Sequence, residues 1–282
     1  MREALALLLA FVAASLYALS TSLQALEARQ TDPATALSAS LLGRLARRRL
    51  WLLGAAAGIA AWPMQLGALA IGAVALVQPA LGFGLVVLLV LGVVVLHERV
   101  GPRELAGVAG IALALGVLAW AAPSETGAYT AGGTWLIGAA IVVLAPLPPL
   151  LRRANHVGGL PTSIASGVGW TVVALATSLV DESLADRRWA WAVAWGIGVA
   201  LASWGALLAE MTALQTWPAT RAIPIAFGLE MLVPAALSPA LTRVGPPHPV
   251  PFAAALALAC AAVVLLGGSR AVAHAAVPLT EP

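Results

Sequence analysis

Two of the twelve acidic residues fall inside long apolar segments. Glu230 lies midway along the stretch from Ala219 to Leu241, and Glu210 lies near the end of the stretch from Trp189 to Leu214. A charged side chain at the centre of a membrane span costs ~2.5 to 3.5 kcal/mol on insertion scales, so an acid kept there is a candidate for function. A carboxyl withdrawn from water suits proton coupling, and two carboxylates facing one cavity suit a cation. The competing reading is an ion pair with Arg221. It is credible for Glu210, which lies toward the same end. It is weaker for Glu230, because nine helical residues turn Arg221 about half a turn away.

Uncharged polar residues in apolar stretches form a second tier. Interhelical hydrogen bonding accounts for most Ser and Thr in membranes, and Ser15, Tyr17, Ser20 and Ser22 are assigned to that class with Thr171 and Thr177. The amides Gln24, Gln65, Gln78 and Gln215 are the ones expected on a substrate or ion pathway. Pro79 and Pro224 would break their helices and free backbone carbonyls to line a cavity. Trp62, Trp170 and Trp204 can stack on an organic cation, with core packing the more ordinary role. Trp51, Trp120, Trp189 and Trp217 stand near segment ends, where interfacial anchoring is expected.

Enzymatic chemistry finds little support. All fifteen basic residues are arginine; without lysine there is no Walker A loop and no Schiff-base amine. His97, His156, His248 and His274 fall in loops or tails, and the single cysteine, Cys260, sits in an apolar run. The acidic loop Asp181-Glu182 to Asp186, with Arg187 and Arg188 beside it, reads as solvated charge. No enzyme activity, thiolate metal cluster or cofactor is expected.

The elements that must position these groups follow from composition. Of 282 residues 61% are hydrophobic and 10% charged, whereas a soluble domain carries about 25% charged residues. The implied class is an all-α polytopic membrane bundle. Nine segments are long enough to span: Ala4 to Leu26, Leu50 to Leu69, Val74 to Leu96, Leu105 to Ala122, Gly133 to Leu151, Thr162 to Val180, Trp189 to Leu214, Ala219 to Leu241 and Pro251 to Gly267. The first reads as an uncleaved helix, because its flank is not net positive. Pro33 to Ala46 is either a loop with a turn or two of helix or a tenth span. Placing Arg44, Arg47, Arg48 and Arg49 in the cytoplasm puts eleven arginines inside against four outside. By the positive-inside rule this also places the C-terminus in the cytoplasm.

The chain also repeats itself. Gln65-Leu66-Gly67-Ala68-Leu69 followed by Pro79 matches Glu210-Met211-Thr212-Ala213-Leu214 followed by Pro224 at a constant offset of 145. Glu98-Arg99-Val100-Gly101-Pro102 matches Thr242-Arg243-Val244-Gly245-Pro246 with one residue deleted. Five spans separate the copies, so they point in opposite directions across the bilayer, as in alternating-access transporters. The expected units are a first repeat over 1–122, a linker over 123–132, a second repeat over 133–268 and a cytoplasmic tail over 269–282. Gln65 and Glu210 become equivalent positions at the interface between repeats.

At Ala68-Leu69, Val77-Gln78-Pro79, His97-Glu98-Arg99 and the small-residue run from Gly107 to Gly116, the sequence resembles the drug/metabolite transporter superfamily with its paired EamA-like halves. Within it, Leu23-Gln24 and Arg49-Leu50-Trp51-Leu52-Leu53-Gly54 look most like the branch of the NIPA-type magnesium transporters and related bacterial permeases. The resemblance implies a permease of a bacterial plasma membrane that moves a small solute, or alternatively Mg2+ or another divalent cation. A non-transporting membrane scaffold is the reading from another class. The expected partners are the lipid bilayer and the small-molecule or cation substrate, not nucleic acid, with a homodimer left open. Thr242 stands where the first copy has Glu98, so any role of that acid exists only once.

Overall fold

An apolar run removed from water leaves its backbone no partner but itself, and helix is the local solution. The computed structural model describes residues 2–72, 77, 80–121, 129–144, 146–242 and 244–267, and these contain helices and no strand. In chain order they are α1 (Arg2–Arg29), α2 (Ala39–Leu45), α3 (Arg49–Ile71), α4 (Gly84–Val94), α5 (Pro102–Ala121), α6 (Ala131–Leu144), α7 (Leu147–Arg153), α8 (Gly159–Ala185), α9 (Trp189–Thr216), α10 (Ala219–Thr242) and α11 (Pro249–Gly267). Eight helical stretches are long and apolar enough to cross a membrane, with α6 and α7 counted together, and the shorter apolar stretch Ala80–Val94 joins them.

Eight of the expected spans map onto these helices, and the undecided segment takes the first of its two readings. Pro33 to Ala46 folds as a 3-10 turn (Pro33–Thr35) and the seven-residue α2. At 1.5 Å per residue such a helix covers about 10 Å, a third of a bilayer core, so it is not a tenth span. The fifth segment falls on α6 and α7, which together make one stretch long and apolar enough to span. Of the third segment, α4 and the turn from Ala80 are described, whereas Gln78 and Pro79 lie outside the described residues, as does the tail from 268 onward.

Large apolar side chains face outward and small ones face inward. Leu53, Ile59, Trp135, Val142, Val143, Val193 and Val264 are each more than half exposed. No water-soluble surface tolerates apolar exposure on that scale, but lipid does. The buried face of α1 is a run of alanines, Ala6, Ala10, Ala13, Ala14, Ala18, Ala25 and Ala28. Lipid supplies no hydrophobic force between helices, so association depends on close van der Waals approach, which small residues permit. A Cβ at Gly54 of α3 would stand 2.9 Å from the carbonyl oxygen of Ser20 on α1, and one at Gly169 of α8 would stand 2.8 Å from Ala206 Cβ on α9.

Internal packing is alike in the two parts of the chain. In the first, α1 packs against α3 and α4; in the second, α8 packs against α9 and α10. Helices α5 and α11 pack together across the parts, and α10 touches both α4 and α5. The relation is not mirrored at the interface. Helix α1 also packs against α9 and α10, whereas among the described residues α8 meets neither α3 nor α4 to a comparable extent.

One end of the bundle gathers the arginines. There α1 ends at Arg29, α3 begins at Arg49, α7 ends in Arg152-Arg153, and Arg221 lies in the first turn of α10. A buried apolar cluster seals the same end, with Ala25 and Ala28 of α1, Leu41 and Leu45 of α2, and Met211 and Leu214 of α9 in contact.

Candidate functional site

The mid-bundle acids lie on neighbouring helices and are near enough to interact electrostatically. Glu210 near the end of α9 accepts a 2.7 Å hydrogen bond from Trp170 Nε1 of α8. Glu230, halfway along α10, interacts electrostatically with Glu210 and also with Tyr17 of α1. Tyr17 in turn donates a 2.9 Å hydrogen bond to Oε1 of Gln65 on α3. Five side chains from five helices thus form one polar cluster that draws on both parts of the chain. None of the five is exposed.

Its two hydrogen bonds are built alike. In each part, an aromatic donor on the long helix that leads the part, α1 or α8, bonds an acceptor on the next long helix, α3 or α9. The acceptors are the residues that sequence repetition had paired, Gln65 and Glu210. The donors were not expected on a pathway: Tyr17 was assigned to interhelical hydrogen bonding, and Trp170 to core packing or cation stacking. Tyr17 and Trp170 nevertheless share the signal that found the amides, a polar atom deep in an apolar segment.

Among the described residues, neither Glu210 nor Glu230 forms an ion pair. The proposed pairing with Arg221 does not occur. Its Nε donates to the carbonyl of Leu266 at 2.7 Å, its terminal Nη2 donates to that of Gly267 at 2.8 Å, and its guanidinium lies 3.9 Å over the ring of Trp217. The physical reason is the end of α11. The last carbonyls of a helix have no partner within it and carry partial negative charge, so an arginine from the next helix is a good cap.

The remaining candidates lie apart from the cluster. Gln24 is buried and donates within its own helix to Ser20 Oγ at 3.0 Å. Gln215 donates to Thr31 Oγ1 at 2.6 Å, tying α9 to the segment after α1. Pro224 does not break its helix, since α10 is continuous over Ala219–Thr242. Trp62 and Trp204 are not core residues; they are 57% and 51% exposed. Trp51 donates to Met211 Sδ at 3.2 Å and Trp217 carries Arg221, so packing claims both of them.

A second charged centre, at the arginine-rich end, was not legible. Glu98 pairs with Arg29 of α1. Its Oε1 accepts from the backbone N–H of Ala219 at 2.7 Å, and its Oε2 accepts from the N–H of Thr220 at 2.9 Å and from the Thr220 hydroxyl. The carboxylate thereby caps the start of α10, where unpaired N–H groups and the helix dipole favour an anion. Nearby, buried Glu27 pairs with Arg48 at 2.7 Å. The loop acids behave as solvated charge, with Arg188 2.9 Å from exposed Asp186 and 3.8 Å from half-buried Glu182.

Comparison with known proteins adds no relative: no family model, curated protein or solved structure matches this chain.

Proposed function

We propose that the chain is a secondary transporter, of the drug/metabolite transporter type, that moves a small solute by alternating access between two inverted halves. The observation that carries this reading is the mid-bundle cluster. Two carboxylates without ion-pair partners among the described residues, one of them held by an indole donor and the other beside a tyrosine–amide pair from the other part of the chain, sit where the two parts meet. Substrate sites in inverted-repeat transporters lie at that interface.

The packing supports the inverted arrangement. Helices α1, α3, α4 and α5 correspond in order to α8, α9, α10 and α11, and the internal contacts of one set recur in the other. Contacts between the sets are unlike. The arginine-rich end is tied by Glu98, by Gln215 and by the apolar cluster around Met211, while the matching contacts of α8 are not made among the described residues. Two halves of one internal design with unequal contacts at the two ends are what a rocking mechanism requires. The arginines orient the tied end toward the cytoplasm, and a bacterial plasma membrane fits the resemblance.

A second reading rests on the acids as a pair. Two carboxylates in electrostatic contact can hold a cation between them, and Mg2+ prefers oxygen ligands while keeping several waters. The experiment that tests both is flux into proteoliposomes, with organic cations, neutral metabolites and Mg2+ offered separately and internal pH followed. Transport of an organic solute that is lost in Glu230→Gln supports the first reading, and selective Mg2+ uptake supports the second. No flux above empty liposomes for any class would overturn both.

A further inference from the structure

At the arginine-rich end, a groove of about 670 Å3 opens between α2 and α7 over the flank of α9. Its lining includes none of the five residues of the mid-bundle cluster. One rim carries Arg152 and Arg153, Ser38 lies on the other, and the floor is apolar, made by Pro149, Trp204 and Leu208. The arginines are not neutralised. Arg152 donates only to the backbone carbonyl of Ala34, at 3.2 Å, and Arg153 has neither an ion pair nor a hydrogen bond among the described residues. Trp204 is half exposed on α9, a helix long and apolar enough to cross a membrane, so on the transporter reading the floor opens onto the lipid-facing surface.

We propose that this groove binds one anionic phospholipid, its phosphate between Arg152 and Arg153 and an acyl chain along Trp204 and Leu208. The assignment follows from complementarity. A basic rim above an apolar floor matches a molecule that is anionic at one end and hydrocarbon at the other, and arginine meets phosphate with paired N–H donors. A soluble anion would use the rim and leave the floor uncovered; a neutral lipid would use the floor and leave two cations without a counter-charge. The bound lipid would bridge α2, α7 and α9, and so brace the end of the bundle that Arg152 already ties to Ala34.

The test is thermal stability of the purified full chain in detergent, with phosphatidylglycerol, phosphatidylcholine or inorganic phosphate added separately. The expected result is a rise in melting temperature with phosphatidylglycerol alone, since a ligand that binds only the folded state stabilises it. An anionic surface attracts each arginine enough to change affinity about fivefold. Arg153→Gln, which breaks no intramolecular bond, should therefore weaken the lipid about fivefold, and Arg152→Gln with Arg153→Gln roughly thirtyfold. If the double variant does not fold, Arg153→Gln and Trp204→Ala carry the test; Trp204→Ala should reduce the phosphatidylglycerol effect with both arginines in place. An equal rise with phosphatidylcholine overturns the proposal, because the rim would then be irrelevant. An equal rise with inorganic phosphate overturns it in favour of a free-anion site, and an undiminished phosphatidylglycerol response in Arg153→Gln and Trp204→Ala overturns it outright.

Discussion

Four of the buried or half-buried acids divide into two pairs that the protein treats in opposite ways. At the arginine-rich end, Glu27 and Glu98 are each met by a cation, Arg48 and Arg29, and Glu98 also accepts from the start of α10. In the middle of the bundle, Glu210 receives one indole N–H and Glu230 feels the charges of Glu210 and Tyr17, with no ion-pair partner for either among the described residues. A carboxylate that is fully matched holds structure, because removing it strands its partners. An acid left without a cation contributes little to folding, so its presence needs another explanation. The repeat sharpens the point. The position equivalent to Glu230 is Leu85, which packs in an apolar cluster with Leu89, Val108 and Ile111. The bundle thus accepts a hydrocarbon side chain at that place in the repeat, and packing alone does not call for Glu230.

The largest expected effect belongs to the matched pair. Glu98→Ala strands Arg29, removes the cap from α10 and leaves two backbone N–H groups and the Thr220 hydroxyl without their acceptor. Breaking a buried charge pair of this kind costs ~3 to 5 kcal/mol, enough to prevent recovery of folded protein. Glu98→Gln keeps one acceptor oxygen and should fall in between. The measurement is thermal unfolding in detergent beside Glu210→Gln and Glu230→Gln. If the mid-bundle variants lose as much stability as Glu98→Gln, the distinction between the two regions collapses.

Arg221→Ala comes next. It leaves the carbonyls of Leu266 and Gly267 without donors at the end of α11 and removes the cation from the ring of Trp217. One or two charge-assisted hydrogen bonds at a helix terminus are worth ~2 kcal/mol. The variant should melt at lower temperature while mid-bundle function survives. A loss of flux at unchanged stability would return Arg221 to the acids, contrary to its contacts. Arg48→Gln, at a pair in which Arg48 is itself about one third exposed, should cost only about 1 kcal/mol.

What could be read from the chain, and what could not, follows the range of each interaction. The spans were legible because hydropathy is a local property, and Gln65 with Glu210 because the repeat placed them by offset. The fate of Pro33 to Ala46 was undecided in sequence because its apolar character suits a span and its length does not; the structure resolves it in favour of length. Glu98 was not legible as a cap, since its acceptors serve a helix that begins at Ala219, 121 residues on. Arg221 was misread for a related reason. Helical spacing relates it to Glu230 on its own helix, but not to the end of α11, which reaches it from 45 residues downstream. Pro224 was expected to break α10, yet the helix runs through it, since proline's lost hydrogen bond is one among many in a long helix packed on several neighbours.

The smallest expected effect on stability is the most informative about function. Glu230→Gln retains size and shape, and no cation among the described residues depends on the charge, so the melting temperature should change by the equivalent of less than ~1 kcal/mol. If Glu230 carries a proton during the cycle, the amide mimics the protonated acid. Net pH-dependent transport then disappears while exchange of substrate across the membrane continues. If Glu230 instead faces a cationic substrate, the amide removes the attraction itself and affinity falls. Loss of one charge contact in a low-dielectric site is worth ~1.5 to 3 kcal/mol, roughly ten- to a hundredfold in binding. Flux and equilibrium binding measured on the same preparation separate these outcomes, because the proton model leaves affinity in place and the cation model does not. Unchanged flux together with unchanged affinity would reject both. Glu230 would then be an acid without a part in transport, and the contrast with Glu98 would separate a matched charge from an unmatched one without marking a functional site.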